Sequence, residues 1–161
     1  MKNDPKDIYQ RHLDICTQAY LDEDYPTLLH HLSVPAYMSS SDIERWVATS
    51  EELEDCLRTA RNSLRNMGAD DYVRICREAS FAGPENARVV GEHDTFILRN
   101  GQSVIPRYRS VMTLVLEDGH WSARGIASDV NSLDYSLFST RMMQQFTEEP
   151  TIPPKRSARK A

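Results

Sequence analysis

The sequence is 161 residues long, 40% hydrophobic and 27% charged, which fits one globular domain whose core needs no metal or disulfide staple. No apolar run approaches the length that crosses a bilayer, and the opening MKNDPKDIYQ has acidic residues where a secretory leader needs an apolar core, so a cytoplasmic protein is expected. The formal net charge of −5 is unevenly spread: Lys155, Arg156, Arg159 and Lys160 against Glu148 and Glu149 give the tail from Thr147 to Ala161 a charge of +2, leaving −7 on the body. An acidic body argues against nucleic acid as the main partner.

In chain order, Asn3 or Asp4 can cap a first helix with Pro5 in its first turn. Ile8, His12, Ile15, Cys16 and Ala19 fall on one face, so the helix is expected from Asp4 to Leu21. Leu28, Leu29 and Leu32 cluster in a second, short helix from Tyr25 to Leu32, and Pro35 stops any continuation because it lacks the N–H. VPAYMSS and IERWVAT read as short extended pieces. Thr49 and Glu52 stand at capping-box spacing before a stripe of Leu53, Leu57, Ala60 and Leu64, with Gly68 as the stop, which defines a third helix between Thr49 and Met67.

From Tyr72 to Val130 the period becomes alternating, and turn signals at Gly83-Pro84, Asn100-Gly101 and Asp118-Gly119 cut the stretch into an antiparallel meander of four strands. Primed two-residue turns fix a register. Leu116 then faces Trp121, Leu114 faces Ala123, Met112 faces Gly125 and Tyr108 faces Asp129. Across the other hairpin Phe96 faces Ile105, Glu92 faces Arg109, His93 faces Tyr108 and Asp94 faces Arg107. Opposite charges then meet on one face, while Pro106, which cannot donate to a ladder, marks a bulge. Asn131 to Phe146 carries Leu133, Leu137, Phe138, Met142 and Phe146 at positions suited to one more helix. The sequence thus divides into a single domain at 1–146 and a basic, disordered tail at 147–161.

Element order, long helix, short helix, short strands, third helix and a meander closing on DGHWSARGI, resembles the nuclear transport factor 2-like superfamily. This is the cone-shaped α+β fold shared by SnoaL-type cyclases, ketosteroid isomerases, scytalone dehydratase and the small subunits of ring-hydroxylating dioxygenases. The resemblance covers Asp4 to Val130. It implies a strongly curved antiparallel sheet wrapped around the first and third helices, a pocket at the open end of the cone and frequent dimerisation through the outer sheet face. It implies no reaction, so function rests on the site.

Trp121, Leu114, Leu116 and Met112 mark one sheet face as inward, and the same parity brings His93, Tyr108 and Asp129 onto it. On the first meander strand Val73, Ile75, Ala79 and Phe81 face inward, interrupted by Arg77. His93 is then a candidate acid or base, Asp129 fixes its tautomer, Tyr108 donates to a ligand oxygen and Arg77 holds an anionic group. The alternative is a satisfied hydrogen-bond network closing the end of the sheet, with Arg77 paired to Asp129 or another acid. His12 on the first helix and Tyr37 and Trp46 on the short strands are further candidates for lining the pocket, each open to a plain core reading.

No metal site is expected. Adjacent His30 and His31 do not share a helix face, and the odd, widely spaced Cys16, Cys56 and Cys76 read as buried reduced thiols. Ser39-Ser40-Ser41 has no nucleophile-elbow context, and without a phosphate-binding loop or dinucleotide fingerprint no cofactor is expected. On the outer face Val111, Thr113, Val115 and Ile126 among Arg107, Arg109, Arg124, Glu92 and Asp94 suit a homodimer interface, unless the C-terminal helix covers them. Three readings follow. The first is a protein binding a small apolar or weakly acidic molecule, including a cofactor-free isomerase, hydratase or cyclase. The others are a non-catalytic dimeric interaction module and an accessory subunit of a larger oxygenase.

Overall fold

The computed structural model describes residues 4–144. Helix α1 spans Pro5–Leu21, and the Asp4 carboxylate caps it by accepting from the Lys6 amide at 2.8 Å. Its buried stripe is Ile8, Tyr9, His12, Leu13, Cys16, Ala19 and Tyr20. Ile15, expected on that stripe, is 38% exposed, because one step of about 100° from Cys16 carries it past the contact line. Helix α2 (Tyr25–His31) leads directly into strand β1 (Leu32–Ser39), followed by β2 (Glu44–Val47). Helix α3 (Ser50–Asn66) starts at the expected cap, the Glu52 amide donating to Thr49 Oγ1 at 3.1 Å, while the Glu52 carboxylate accepts from the Ala48 amide.

Four long strands follow: β3 (Asp71–Ala82), β4 (Arg88–Arg99), β6 (Tyr108–Glu117) and β7 (His120–Ser128), with the short β5 (Gln102–Ser103) beside β4. The curved, unclosed sheet has the order β2-β1-β7-β6-β4-β3. The meander is antiparallel as expected. Strand β1 joins it parallel to β7, which makes the sheet mixed. Both hairpin turns have positive φ at each central residue, 52° and 79° at Asn100-Gly101 and 54° and 74° at Asp118-Gly119, the geometry whose twist matches paired strands. On the inner side Gly91 allows the Tyr9 ring to lie on the sheet: a Cβ there would meet Tyr9 Cε1 at 2.5 Å.

Three irregularities decide which residues face inward. Pairing around Asn100-Gly101 starts in the expected register, Leu98 with Ser103 and Arg99 with Gln102. Beyond Pro106 it has slipped by two residues, so His93 faces Ser110 and Asp94 faces Arg109. A two-residue slip preserves the faces. A one-residue bulge does not. At Arg77 the β3–β4 register shifts between Cys76 and Glu78, so Tyr72, Arg74 and Cys76 take the inner face, and Val73 and Ile75, expected inside, do not. At Arg124 the β6–β7 pairing shifts, so Met112 faces Ile126 rather than Gly125. Ser128 then turns inward, Ile126 leaves the outer face assigned to it, and Asp129 is exposed.

The stretch expected as a helix from 131 is helical only at α4 (Thr140–Gln144) among the described residues. Local bonds win before it. Asn131 Oδ1 accepts from the Leu133 amide at 2.8 Å, and Asp42 takes both the amide and the hydroxyl of Ser132. Leu133 is 93% exposed, while Tyr135 and Phe138 are buried at 2% and 1%. The basic tail at 147–161 lies outside the described residues. No helix among them is long and apolar enough to cross a membrane.

Candidate functional site

Inside the cone the strands lay side chains in cross-strand rungs. Arg74 on β3 stands opposite Thr95 on β4, and Thr95 opposite Tyr108 on β6. Cys76, His93, Ser110 and Ser128 form the next rung across β3, β4, β6 and β7. Beyond it the wall turns apolar, with Ala79, Gly91, Met112 and Ile126, then Phe81, Val89, Leu114 and Ala123. A cavity of about 140 Å³ lies against the polar rungs, bounded by His12, Cys16 and Tyr20 of α1 and by Leu53, Cys56 and Ala60 of α3.

The polar side chains of this wall are bonded to one another. His93 is 1% exposed, and its Nδ1 shares a 2.8 Å hydrogen bond with the hydroxyl of Tyr9. Burial, with Arg74 adding to it, lowers the imidazole to about 3, so it is neutral near pH 7. Burial also lowers His12 to about 4; its Nε2 lies 3.0 Å from the carbonyl of His31, which fixes the proton on Nε2. The Cys16 thiol, 3.9 Å from His12 Nδ1, is pushed up to about 11 by burial, so thiol and imidazole are both neutral. Ser110 and Ser128 share a 2.7 Å hydrogen bond, and the hydroxyls of Tyr20 and Tyr135 bond to each other. Burial raises Tyr20, Tyr108 and Tyr135 well above the ordinary phenol value.

Arg74 differs from these groups. Its Nε donates to Thr17 Oγ1 at 2.9 Å and its Nη2 to the Leu13 carbonyl at 3.3 Å. Among the described residues it has no ion pair and no aspartate or glutamate lines the cavity. On the opposite side of the sheet Asp94, with a side chain 2% exposed, receives Arg77 at 2.7 Å, Arg109 at 2.9 Å and Arg107 at 3.8 Å. Arg109 bonding, with Arg77 assisting, holds its carboxyl down to about 2.

A cone of helices closed by a curved sheet has clear structural counterparts. A protein of unknown function from Shewanella oneidensis, described as NTF-2 like, superposes with a TM-score of 0.61 at 12% identity, covering 78% of this chain and 99% of its own. The fold is the nuclear transport factor 2-like cone. A cystatin-like protein of unknown function from Nostoc punctiforme gives 0.57 at 11% identity over 76% of this chain and 88% of its own. A putative aromatic ring hydroxylase from Novosphingobium aromaticivorans gives 0.54 at 9% identity over 76% and 85%. No protein-family model and no curated protein matches the sequence.

Within the nuclear transport factor 2-like cone, His93, Tyr108, Met112 and His12 converge on the cavity. The other candidates lie elsewhere. Arg77 sits on the outer side of its bulge against Asp94, and Asp129 is exposed, accepting from the Arg109 amide at 2.9 Å. Asp129 therefore cannot fix the His93 tautomer. Tyr37 and Trp46 pack against each other at a tilt of 59° with ring centroids 5.3 Å apart, away from the cavity lined by their neighbours Ala36 and Met38. Trp121 packs with the cluster of Ile8, Leu13 and Leu114 at the apolar end. Arg74, Thr95, Ser110 and Ser128 were not singled out by the sequence. The first two alternate correctly with Tyr72 and His93, and Ser128 becomes visible only after the Arg124 bulge is counted.

Proposed function

We propose that this protein binds a small molecule in the cavity of the cone. The observation that carries the reading is the segregated wall: two polar rungs facing buried space, continued by apolar rungs and covered by apolar residues of α3. A filled core has no use for this arrangement, whereas binding sites combine apolar walls with a few placed polar groups. Binding is better supported than proton-transfer catalysis, because no carboxylate lines the cavity among the described residues and neutral His93 is a weak base. His93 and Tyr108 accordingly orient a ligand. The test is a small-molecule screen by thermal shift on the wild type and on Ala60→Phe, which fills the cavity from α3. A ligand at about a hundred times its Kd stabilises the wild type by about 2.7 kcal/mol and leaves the filled variant unmoved. Equal shifts in both, or none in the wild type, remove the reading.

A second reading concerns assembly. On the outer face Ile75, Val90 and Val111 are 39%, 37% and 44% exposed, bordered by the Glu92–Arg109 pair. Mixed apolar and charged surface of this kind suits a homodimer seam. Light scattering at micromolar concentration is expected to give a dimer that Val111→Lys dissociates, and a monomeric wild type removes this reading.

A further inference from the structure

We propose that the ligand of the cavity is a small organic anion of about one ring, a carboxylate or an equally compact acid, with Arg74 as its counter-charge. This rests on the small-molecule reading above and specifies its chemistry. Every other described cation whose charge is matched in the sheet is matched on the outer face: Asp94 alone gathers Arg77, Arg107 and Arg109, and Glu117 takes Arg124 at 2.7 Å. Arg74 faces inward with two neutral acceptors, Thr17 and Leu13, and the Tyr72 ring 5.8 Å from its guanidinium carbon.

A guanidinium carries five N–H donors. The Nε–H and one Nη2 bond are used within the protein, and Nη1 has no acceptor among the described residues. A cation held this way in low-dielectric surroundings favours an anion brought to it from outside. Around it the hydroxyls of Thr95, Tyr108, Ser110 and Ser128 share the same wall, and hydroxyls can donate to the ligand's second oxygen. With both cavity histidines neutral, Arg74 sets the charge of the space. The size follows from the volume: about 140 Å³ is close to the roughly 150 Å³ of an apolar cavity that holds benzene. The apolar rungs at Met112 and Ile126 receive the ligand's body while its acid group meets Arg74.

The experiment uses 4-fluorobenzoate and its neutral counterpart 4-fluorobenzamide, followed by fluorine NMR against the full-length protein at pH 7. The expected result is saturable binding of the benzoate at least about tenfold tighter than the benzamide. Arg74→Gln is expected to abolish that preference, and Arg74→Lys to retain part of it; circular dichroism checks that both variants fold. The wild-type preference itself needs no variant. If benzamide binds as tightly as benzoate and Ala60→Phe blocks both, the cavity binds ligands and the anion assignment is overturned. Benzoate binding that survives Arg74→Gln likewise overturns the assignment alone. If neither probe binds, the anion assignment falls, and the small-molecule reading is decided separately by the thermal-shift comparison of the wild type with Ala60→Phe.

Discussion

His93 and Asp94 are consecutive in β4 and point to opposite sides of one sheet, where they meet opposite electrostatic conditions. On the outside, a carboxylate 2% exposed is surrounded by three arginines, each about half exposed, so the group is buried by its own counter-ions. On the inside, a histidine 1% exposed is kept neutral and hydrogen-bonded to Tyr9, and the nearby arginine has no acid partner among the described residues. The outer arrangement is complete in itself. The inner one satisfies its neutral groups with one another and leaves one charge unmatched, which separates a stabilising network from a surface prepared for something else.

The inner side is also the less forgiving. Gly91→Ala places a Cβ 2.5 Å from the Tyr9 ring and 2.9 Å from the Glu78 carbonyl, and with Tyr9 wholly buried and tied to His93 neither neighbour yields cheaply. The expected loss is about 2–3 kcal/mol in urea denaturation; an unchanged midpoint would show that α1 can lift off the sheet without cost.

Smaller is the outer counterpart, Asp94→Asn, expected to cost about 1–2 kcal/mol, less than for a fully buried pair because the arginines remain half in water. Its signature is in acid. Hydrogen bonding from Arg109 holds the folded carboxyl down to about 2, below the ordinary aspartate value of 3.8, so its contribution is present above pH 4 and lost as pH falls toward 2. Stability curves of wild type and variant should therefore converge over that range, and curves that remain parallel would sink the assignment.

The smallest effect belongs to the buried histidines. His12 and His93 are lowered to about 4 and about 3 from 6.5, so the unfolded chain binds protons first and stability falls as pH drops below 6.5. Between pH 7 and 6 each histidine contributes under about 1 kcal/mol of that loss. His93→Gln should flatten the slope of stability against pH without removing the His12 share.

Much of this fold was legible in the sequence because its cues are local. The Thr49 cap, the Asp118-Gly119 turn and the alternation of Tyr108, Ser110 and Met112 each depend on neighbouring residues. The site was half legible. His93 and Tyr108 stayed inside because the slip at Pro106 is two residues long and leaves parity intact. Arg77 and Asp129 were assigned inside because strict alternation was carried across single-residue bulges. Nothing in the stretch RICREAS marks the first bulge, whereas Gly125, isolated within a strand beside Arg124, is a recognisable hint of the second. The segment after Asn131 misled for a different reason: its apolar spacing is helical, but Asn131, Ser132 and Ser136 bond to nearby backbone or to Asp42.

The bulge at Arg124 works as punctuation does, shifting the phase of everything read after it. Were β7 to run straight through Arg124 with every residue paired, β3, β4 and β6 would keep each side chain that now borders the cavity, yet β7 would continue in the opposite phase. Asp129 would then turn inward opposite Tyr108, bringing a carboxylate to the rung that holds Arg74. The one extra residue at a surface arginine is thus what keeps an acid out of the cup, although Arg124 itself does not line the cavity.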